Sequence, residues 1–426
     1  MFKRTILLCW IIVSFLAAGH VYSQTSIGSP YSRYGIGDMF LANNTQTLSL
    51  GGAGLAWGNS GLINYLNPAS YAAFDTLAFV FEGGMGAKFG QMKTTTLSQR
   101  SVTSALTHML FGFSVNRRLK ASFGLLPYSR MGYNIGQKVI DDTVGSIVNL
   151  YTGTGGINQV YLGGAYKITE DFSVGLNAAY LFGTLSKTTA LTFPDSAAMY
   201  NYRVNRSTRI SDFLFTLGLQ YQRKLSSAFT LGTGLTYSNG ASINAWESML
   251  AETYSVGSTG TVIIRDTVDQ YPETSGILKF PSSLGFGLIL KHKDNWLILM
   301  DYKYQNWKNF SYLGIKDSLK NSFQASLGFQ ITPDFRPTSS YMEKITYRAG
   351  FRYTQTYLQL RDNRLTEMGF SLGLALPLPR SKSHINLAME VGKRGTTNDG
   401  LLQENYVKLS ISATVLERWF MRRKFE

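Results

Sequence analysis

Met368-Gly-Phe-Ser-Leu-Gly-Leu-Ala-Leu376 alternates strictly: Met368, Phe370, Leu372, Leu374 and Leu376 form one apolar row, and Gly369, Ser371, Gly373 and Ala375 form the other. A period of two is the period of a β-strand, with successive side chains on opposite faces. One greasy face and one small, polar face is the arrangement of a strand with lipid on one side and an aqueous lumen on the other. The same pattern recurs in Leu284, Phe286, Leu288 and Leu290 against Gly285 and Gly287. Ile385, Leu387, Met389 and Val391 oppose Asn386, Glu390 and Gly392, and Val407, Leu409, Ile411 and Val415 oppose Lys408, Ser410 and Ser412. A soluble all-β protein would need more apolar inner faces than these. With 42 glycines, 13% aromatic residues and a mean hydropathy of −0.05, the 426-residue chain lacks the strong hydrophobicity of a helical membrane protein. No segment after the first two dozen residues reaches the roughly 18 apolar residues that a spanning helix needs.

The links between strands alternate between long and short, as expected of a membrane barrel with outer loops on one rim and periplasmic turns on the other. From a first strand near Thr76–Lys88 they run long (Phe89–Ser101), short (Asn116–Lys120), long (Tyr133–Asn158), short (Thr169–Asp171), long (Thr184–Ile210) and short (Arg223–Ala228). A very long link (Asn239–Pro281) follows, then His292–Asn295, Gln305–Asn321, Thr332–Lys344, Thr356–Thr366, Pro377–Ser383 and Lys393–Asn405; only Thr332–Lys344 exceeds the length of its class. The expected fold is therefore all-β, a transmembrane antiparallel β-barrel of about 14 strands, an even number with both chain ends in the periplasm.

The chain opens with a basic Met1-Phe-Lys-Arg, an apolar Ile6–Ala18 and a small-residue cleavage site at Val21-Tyr22-Ser23, which reads as a signal peptide over 1–23. The single cysteine, Cys9, lies inside it, so the mature chain is expected to hold no disulfide and no thiolate metal site. The expected partition is 1–23 signal, 24–75 plug, 76–416 barrel and 417–426 basic periplasmic tail. The net charge of +15 falls to +13 when Lys3 and Arg4 leave with the signal. Its basic residues are spread over turns and strand ends, as in Arg117-Arg118 and Arg422-Arg-Lys424, with no basic helix or stacking module. Anionic outer-membrane lipid head groups or an acidic ligand fit this distribution, and nucleic acid does not.

The segment 24–75 contains Leu50-Gly-Gly-Ala-Gly-Leu-Ala-Trp-Gly-Asn-Ser-Gly-Leu-Ile-Asn-Tyr-Leu-Asn-Pro-Ala69. Asn67-Pro68 favours a turn, since proline fixes its own φ and pushes the preceding residue out of the helical region. This run, with Gly51, Gly52 and Gly54 followed by Asn67, Pro68 and Ala69 just before the first strand, resembles the N-terminal hatch of the FadL-type outer-membrane hydrophobic-compound transporters. The resemblance covers hatch and barrel but not the loops. It implies a fourteen-stranded barrel in the outer membrane with a lumenal hatch, assembled by the barrel-assembly machinery. The implied function is uptake of long-chain fatty acids or other small hydrophobic compounds. Barrels resembling the same family also serve as non-transporting, partner-binding subunits of secretion machines such as the type IX system of Bacteroidota.

Pro127 interrupts the third strand, Ser122-Phe-Gly-Leu-Leu-Pro-Tyr-Ser-Arg-Met-Gly-Tyr133. Proline removes a ladder donor, so the strand is expected to bulge or unzip there, with Gly132 easing the bend. The FadL-type resemblance implies a kinked third strand that lets ligands leave sideways; the bland alternative is a harmless bulge. Candidate ligand contacts are Arg348 and Arg352, inward by parity and suited to a carboxylate head group or to lumenal ion pairs, and Trp246 in the apolar outer link, which forms a capture groove or a simple hairpin. An enzyme is not expected. Of His108, His292 and His384, only His108 points inward from a strand, where Ser104 or Ser114 would have to serve it, and no nucleophile elbow, nucleotide loop, metal or cofactor motif is present. After the last strand, near Tyr406–Leu416, the chain ends in Glu417-Arg-Trp-Phe-Met-Arg-Arg-Lys-Phe-Glu426 rather than on the terminal aromatic that the family's barrels carry. That tail is expected to dock a partner or touch head groups.

Overall fold

The computed structural model describes residues 28–418 apart from 41, 42, 197, 198, 258, 294, 335, 337 and 380. The signal-peptide reading of 1–23 and residues 419–426 of the tail lie outside the described residues.

Fourteen antiparallel strands close into a barrel. In chain order they are β1 (Ala78–Lys93), β2 (Ser98–Ser114), β3 (Leu119–Asp141), β4 (Gly145–Lys167), β5 (Phe172–Thr192), β6 (Asn201–Lys224) and β7 (Phe229–Ser238). Then come β8 (Ser283–His292), β9 (Trp296–Gln305), β10 (Ser322–Ile331), β11 (Thr346–Leu360), β12 (Asn363–Pro377), β13 (His384–Gly395) and β14 (Gln403–Arg418). Closure runs from Gln403–Lys93 to Arg418–Ala78, so β1 has no free edge on that side. Closing the sheet satisfies backbone groups that the hydrocarbon core would leave stranded. The alternation reads out as expected: Met368, Phe370 and Leu372 are about half exposed on the outer face (49, 52 and 50%), whereas Ser371 between them is buried.

The links are not the loops that the sequence pattern gives. Most of Tyr133–Asn158 is strand, with β3 and β4 paired out to Asp141–Gly145, and β11 meets β12 through the two residues Arg361 and Asp362, both at positive φ. A spanning strand needs about 9–11 residues. β8, β9 and β10 have 10 each, while β3 and β4 have 23 and β6 has 24. The excess stands above the bilayer, where no lipid enforces an apolar row on the outer face and the apolar–polar contrast fades although the ladder continues. The long link between β7 and β8 forms an outer hairpin, Ser242–Val256 with Val262–Lys279, its first arm paired to the raised end of β6. That is the hairpin alternative for this link.

One join in the wall is incomplete. β2 and β3 share six pairs, Met109–Leu125 to Ser114–Lys120, and no further pair joins them among the described residues. Beyond that point β2 pairs only with β1, and β3 with β4. The exception is a two-residue strand of the N-terminal segment, Asp38–Met39, which pairs with Arg130 and Ser129 in the gap. At the foot of the opening, the β3–β4 ladder passes from Pro127–Asn158 to Ser129–Ile157 and skips Tyr128.

Candidate functional site

The N-terminal segment runs inside the barrel, and the inward row of small residues makes room for it. A short helix, Thr45–Leu48, is capped by the Asn44 side chain. Gly51 and Gly52 then turn the chain at φ +67° and +81°, a region that favours glycine. A Cβ on Gly51 would lie 2.6 Å from the Phe351 carbonyl oxygen, and one on Gly350 would run into the Leu50–Gly51 backbone. Leu55 seats against Gly285 and Gly287, Ser49 against Gly373, and Pro68 against Gly175 and Gly218. Gly54 donates its backbone N–H to Asp301 Oδ2 at 2.7 Å, as Leu55 does at 2.8 Å.

Asn67 is fully buried and fastens the segment to the wall. Its Nδ2 donates to the carbonyls of Leu55 (2.7 Å) and Leu219 (3.1 Å), while its Oδ1 accepts from Ala69 N (3.0 Å). In that role it caps a 3-10 turn over Pro68–Ala73. Asn64 donates to the carbonyls of Gly54 and Trp57. Higher up, Tyr31 donates to the Leu402 carbonyl; burial pushes its phenol up to about 12, which keeps that donor protonated.

Two polar groupings and an apolar seal occupy the rest of the lumen. Arg352 Nη2 lies 2.9 Å from both Glu367 and Glu390 and 3.1 Å from the Tyr406 hydroxyl, and Lys408 reaches Glu390 at 3.0 Å. Arg348 is held by neutral partners, Gln330 (2.8 Å), Asn386 (3.3 Å) and Gln46 of the N-terminal segment (3.2 Å). Toward the outer mouth, Trp307, Phe310, Phe280 and Leu278 join Tyr31 and Ile36 in a buried cluster, with Trp307 stacked on Tyr357 at 4.1 Å. The sequence pattern did not point to this seal, because its residues come from separate outer links.

Between these groups lies a cavity of about 410 Å³, lined by Leu48, Leu55, Tyr65, Lys303 and Arg352 among others. No acid pairs with Lys303 among the described residues. A second cavity of about 500 Å³ lies at the opening beside Pro127, and Phe40, Ala105, Arg130 and Gly132 border both. Arg352 thus faces the inner cavity; Arg348 and Trp246 do not line it. Trp246 stands on the outer hairpin under the Arg209 guanidinium, 4.6 Å from the ring centroid. Gly132 lies on β3 within the opening, where its N–H donates to Ser32 Oγ and its carbonyl accepts from Gly28.

His108 gains no serine nucleophile. It is buried with Nε2 3.4 Å from Glu82 and Nδ1 3.0 Å from the Thr107 hydroxyl, while Ser114 is bonded to Lys120 and Asn116. Among the described residues no cluster of His, Cys, Asp and Glu is placed to hold a metal ion.

These features define a transmembrane barrel of the outer-membrane type, plugged by its own leading segment. Solved structures of the same fold include the Pseudomonas putida toluene transporter TodX (TM-score 0.59, 16% identity, covering 88% of this chain and 98% of that one). Others are the monoaromatic hydrocarbon channel CymD (0.55, 15%, 89% and 97%) and a Pseudomonas aeruginosa FadL homologue (0.56, 11%, 89% and 98%). At such identities the likeness carries the fold. No curated protein matches the sequence. The family model described as BamG matches residues 1–426, and the chain belongs to the BamG family.

Proposed function

We propose that this protein is a non-enzymatic channel that takes up small hydrophobic compounds, binding them in the lumen beside a hatch formed by 24–75 and releasing them sideways into the bilayer past Pro127. The observation that carries this reading is the incomplete β2–β3 join, whose cavity meets the lumenal one at Phe40, Ala105, Arg130 and Gly132. The inner cavity is of a size that small ligands use. Its apolar Leu48, Leu55 and Leu66, with Lys303 free of an acid, suit a long-chain amphiphile with an acidic head. Of the structures that share the fold, TodX is named a toluene transporter and CymD a monoaromatic hydrocarbon channel.

The test is binding of labelled long-chain fatty acids, alcohols and aromatic hydrocarbons to the purified barrel, and their transfer into vesicles. A variant with Tyr128 deleted and Pro127 replaced by Val makes the β3–β4 ladder continuous and returns the outer half of β3 to the facing it has below Pro127. It is expected to bind ligand and fail to transfer it. Absence of binding across all three compound classes overturns the reading.

A second reading is a partner-binding subunit of an outer-membrane assembly or secretion machine, with the tail 417–426 as one docking element. Membership of the BamG family favours it, as does the apolar seal of Trp307, Phe310 and Phe280 across the outer lumen. Purification of intact envelope complexes in stoichiometric amounts with this chain, without bound ligand, would select it.

A further inference from the structure

The bulge at Tyr128 reverses the faces of β3. Before Pro127 the even-numbered Lys120, Ser122 and Leu126 are buried toward the interior; after Tyr128 it is Ser129, Met131 and Tyr133. One extra residue exchanges the two faces of everything that follows it in a strand. Tyr128 uses the slack to stack on Phe280, with ring centroids 5.8 Å apart. Arg130 is turned away from the face that Met131 and Tyr133 share and borders the opening as well as the lumenal cavity.

There one nitrogen of its guanidinium is unsatisfied. Nη1 is buried without a hydrogen-bond partner, and no carboxylate pairs with Arg130 among the described residues. Its ladder neighbour Asp38 is engaged by Arg394 at 2.8 Å. Asn134, Thr152, Thr154 and Asn158 border the same 500 Å³ cavity, whereas Phe123, Val160 and Leu162, lower on the outer face of β3 and β4, are exposed and apolar. Arg130 stands eleven residues beyond Leu119, where β3 begins. A tilted strand crosses hydrocarbon in about 9–11 residues, so this side chain is level with the outer head groups. An arginine is penalised within the hydrocarbon and tolerated at that depth. Leu106 and Phe40 supply apolar walls beside it.

The geometry points to a seat for a phosphate-bearing lipid in the β2–β3 opening. Its phosphate accepts hydrogen bonds from Arg130, and an acyl chain lies against Leu106 along the outer face of β2. The lipid sits beside the inserted Asp38–Met39 strand, where β2 and β3 diverge. This site is independent of the channel reading, since it needs neither a lumenal ligand nor transfer.

The purified barrel is titrated in uncharged detergent with dioleoylphosphatidylglycerol, dioleoylglycerol, oleate and inorganic phosphate, and bound species are counted by native mass spectrometry. Phosphatidylglycerol is expected to bind at least about tenfold tighter than dioleoylglycerol, the scale of one charge-assisted contact. Arg130→Gln is expected to abolish that preference and Arg130→Lys to keep part of it. Equal binding of the two lipids, or an unchanged preference in Arg130→Gln, overturns the proposal. So does inorganic phosphate displacing the lipid at equal concentration, which marks a simple ion site, and oleate binding as tightly, which marks a carboxylate site. Should Arg130→Gln fail to give a folded barrel, a photoreactive phosphatidylglycerol on the wild-type protein decides. Labelling concentrated on residues 105–106 and 127–134 is expected, and even labelling around the wall contradicts it.

Discussion

Every residue of β9 is paired with β8 on one side and with β10 on the other, ten pairs in each ladder, whereas β2 and β3 part after six. Both stretches cross the same bilayer, yet only the first resembles an ideal barrel wall. At β8 to β10 the strands are the length that hydrocarbon demands, and the alternation is uninterrupted. At β2 and β3 a proline that cannot donate, an extra tyrosine and an inserted piece of the leading segment replace the ladder. Closure is therefore maintained around most of the circumference and relaxed at one seam, and the seam is where interior and bilayer come closest.

Variants that separate closed wall from open seam should follow a steep order of effect. Arg352→Met strips Glu367 and Glu390 of their buried partner on the closed side, and breaking such a pair costs about 3–5 kcal/mol; the midpoint of heat-induced loss of the compact barrel on gels should drop clearly. Gly350→Val forces a side chain into the Leu50–Gly51 backbone, an overpacking cost of about 1–3 kcal/mol. Here the N-terminal segment should become protease-sensitive while the barrel persists. Asn67→Ala removes one hydrogen bond to the wall, at Leu219, and two within the segment, at Leu55 and Ala69, and should cost about 1–3 kcal/mol, read as faster proteolysis between residues 50 and 75. Leu106→Ala, on the exposed flank of the seam, should shift stability by no more than about 0.5 kcal/mol, because the side chain has little protein to leave. A large loss there would mean that the seam is packed like the rest of the wall.

The closed wall was largely legible in the sequence because hydrocarbon enforces it. Met368 to Leu376 and Leu284 to Leu290 betray their faces residue by residue, and the glycines opposite them are where the N-terminal segment seats. Legibility ended where the environment stopped differing between faces. Above the bilayer no lipid enforces an apolar outer row on β3 and β4, so Tyr133–Asn158 reads as a loop although it is paired. Parity also says that Arg352 points inward, but not that Glu367, Glu390 and Tyr406 meet it, since these come from three other strands. Pro127 marked the irregular point. The reversal that brings Arg130 to the opening depends on a single unpaired residue, Tyr128, and no periodicity announces it.

Residue-resolved amide hydrogen exchange of the folded barrel distinguishes a wall whose described strands part only between β2 and β3 from one closed all round. Alternate amides of 134–140, those facing β2 beyond the inserted segment, should exchange quickly while their neighbours bonded to β4 stay protected, and Leu284–Leu290 should be protected throughout. Uniform protection of 134–140, matching that of Leu284–Leu290, would show a closed seam and contradict an open one.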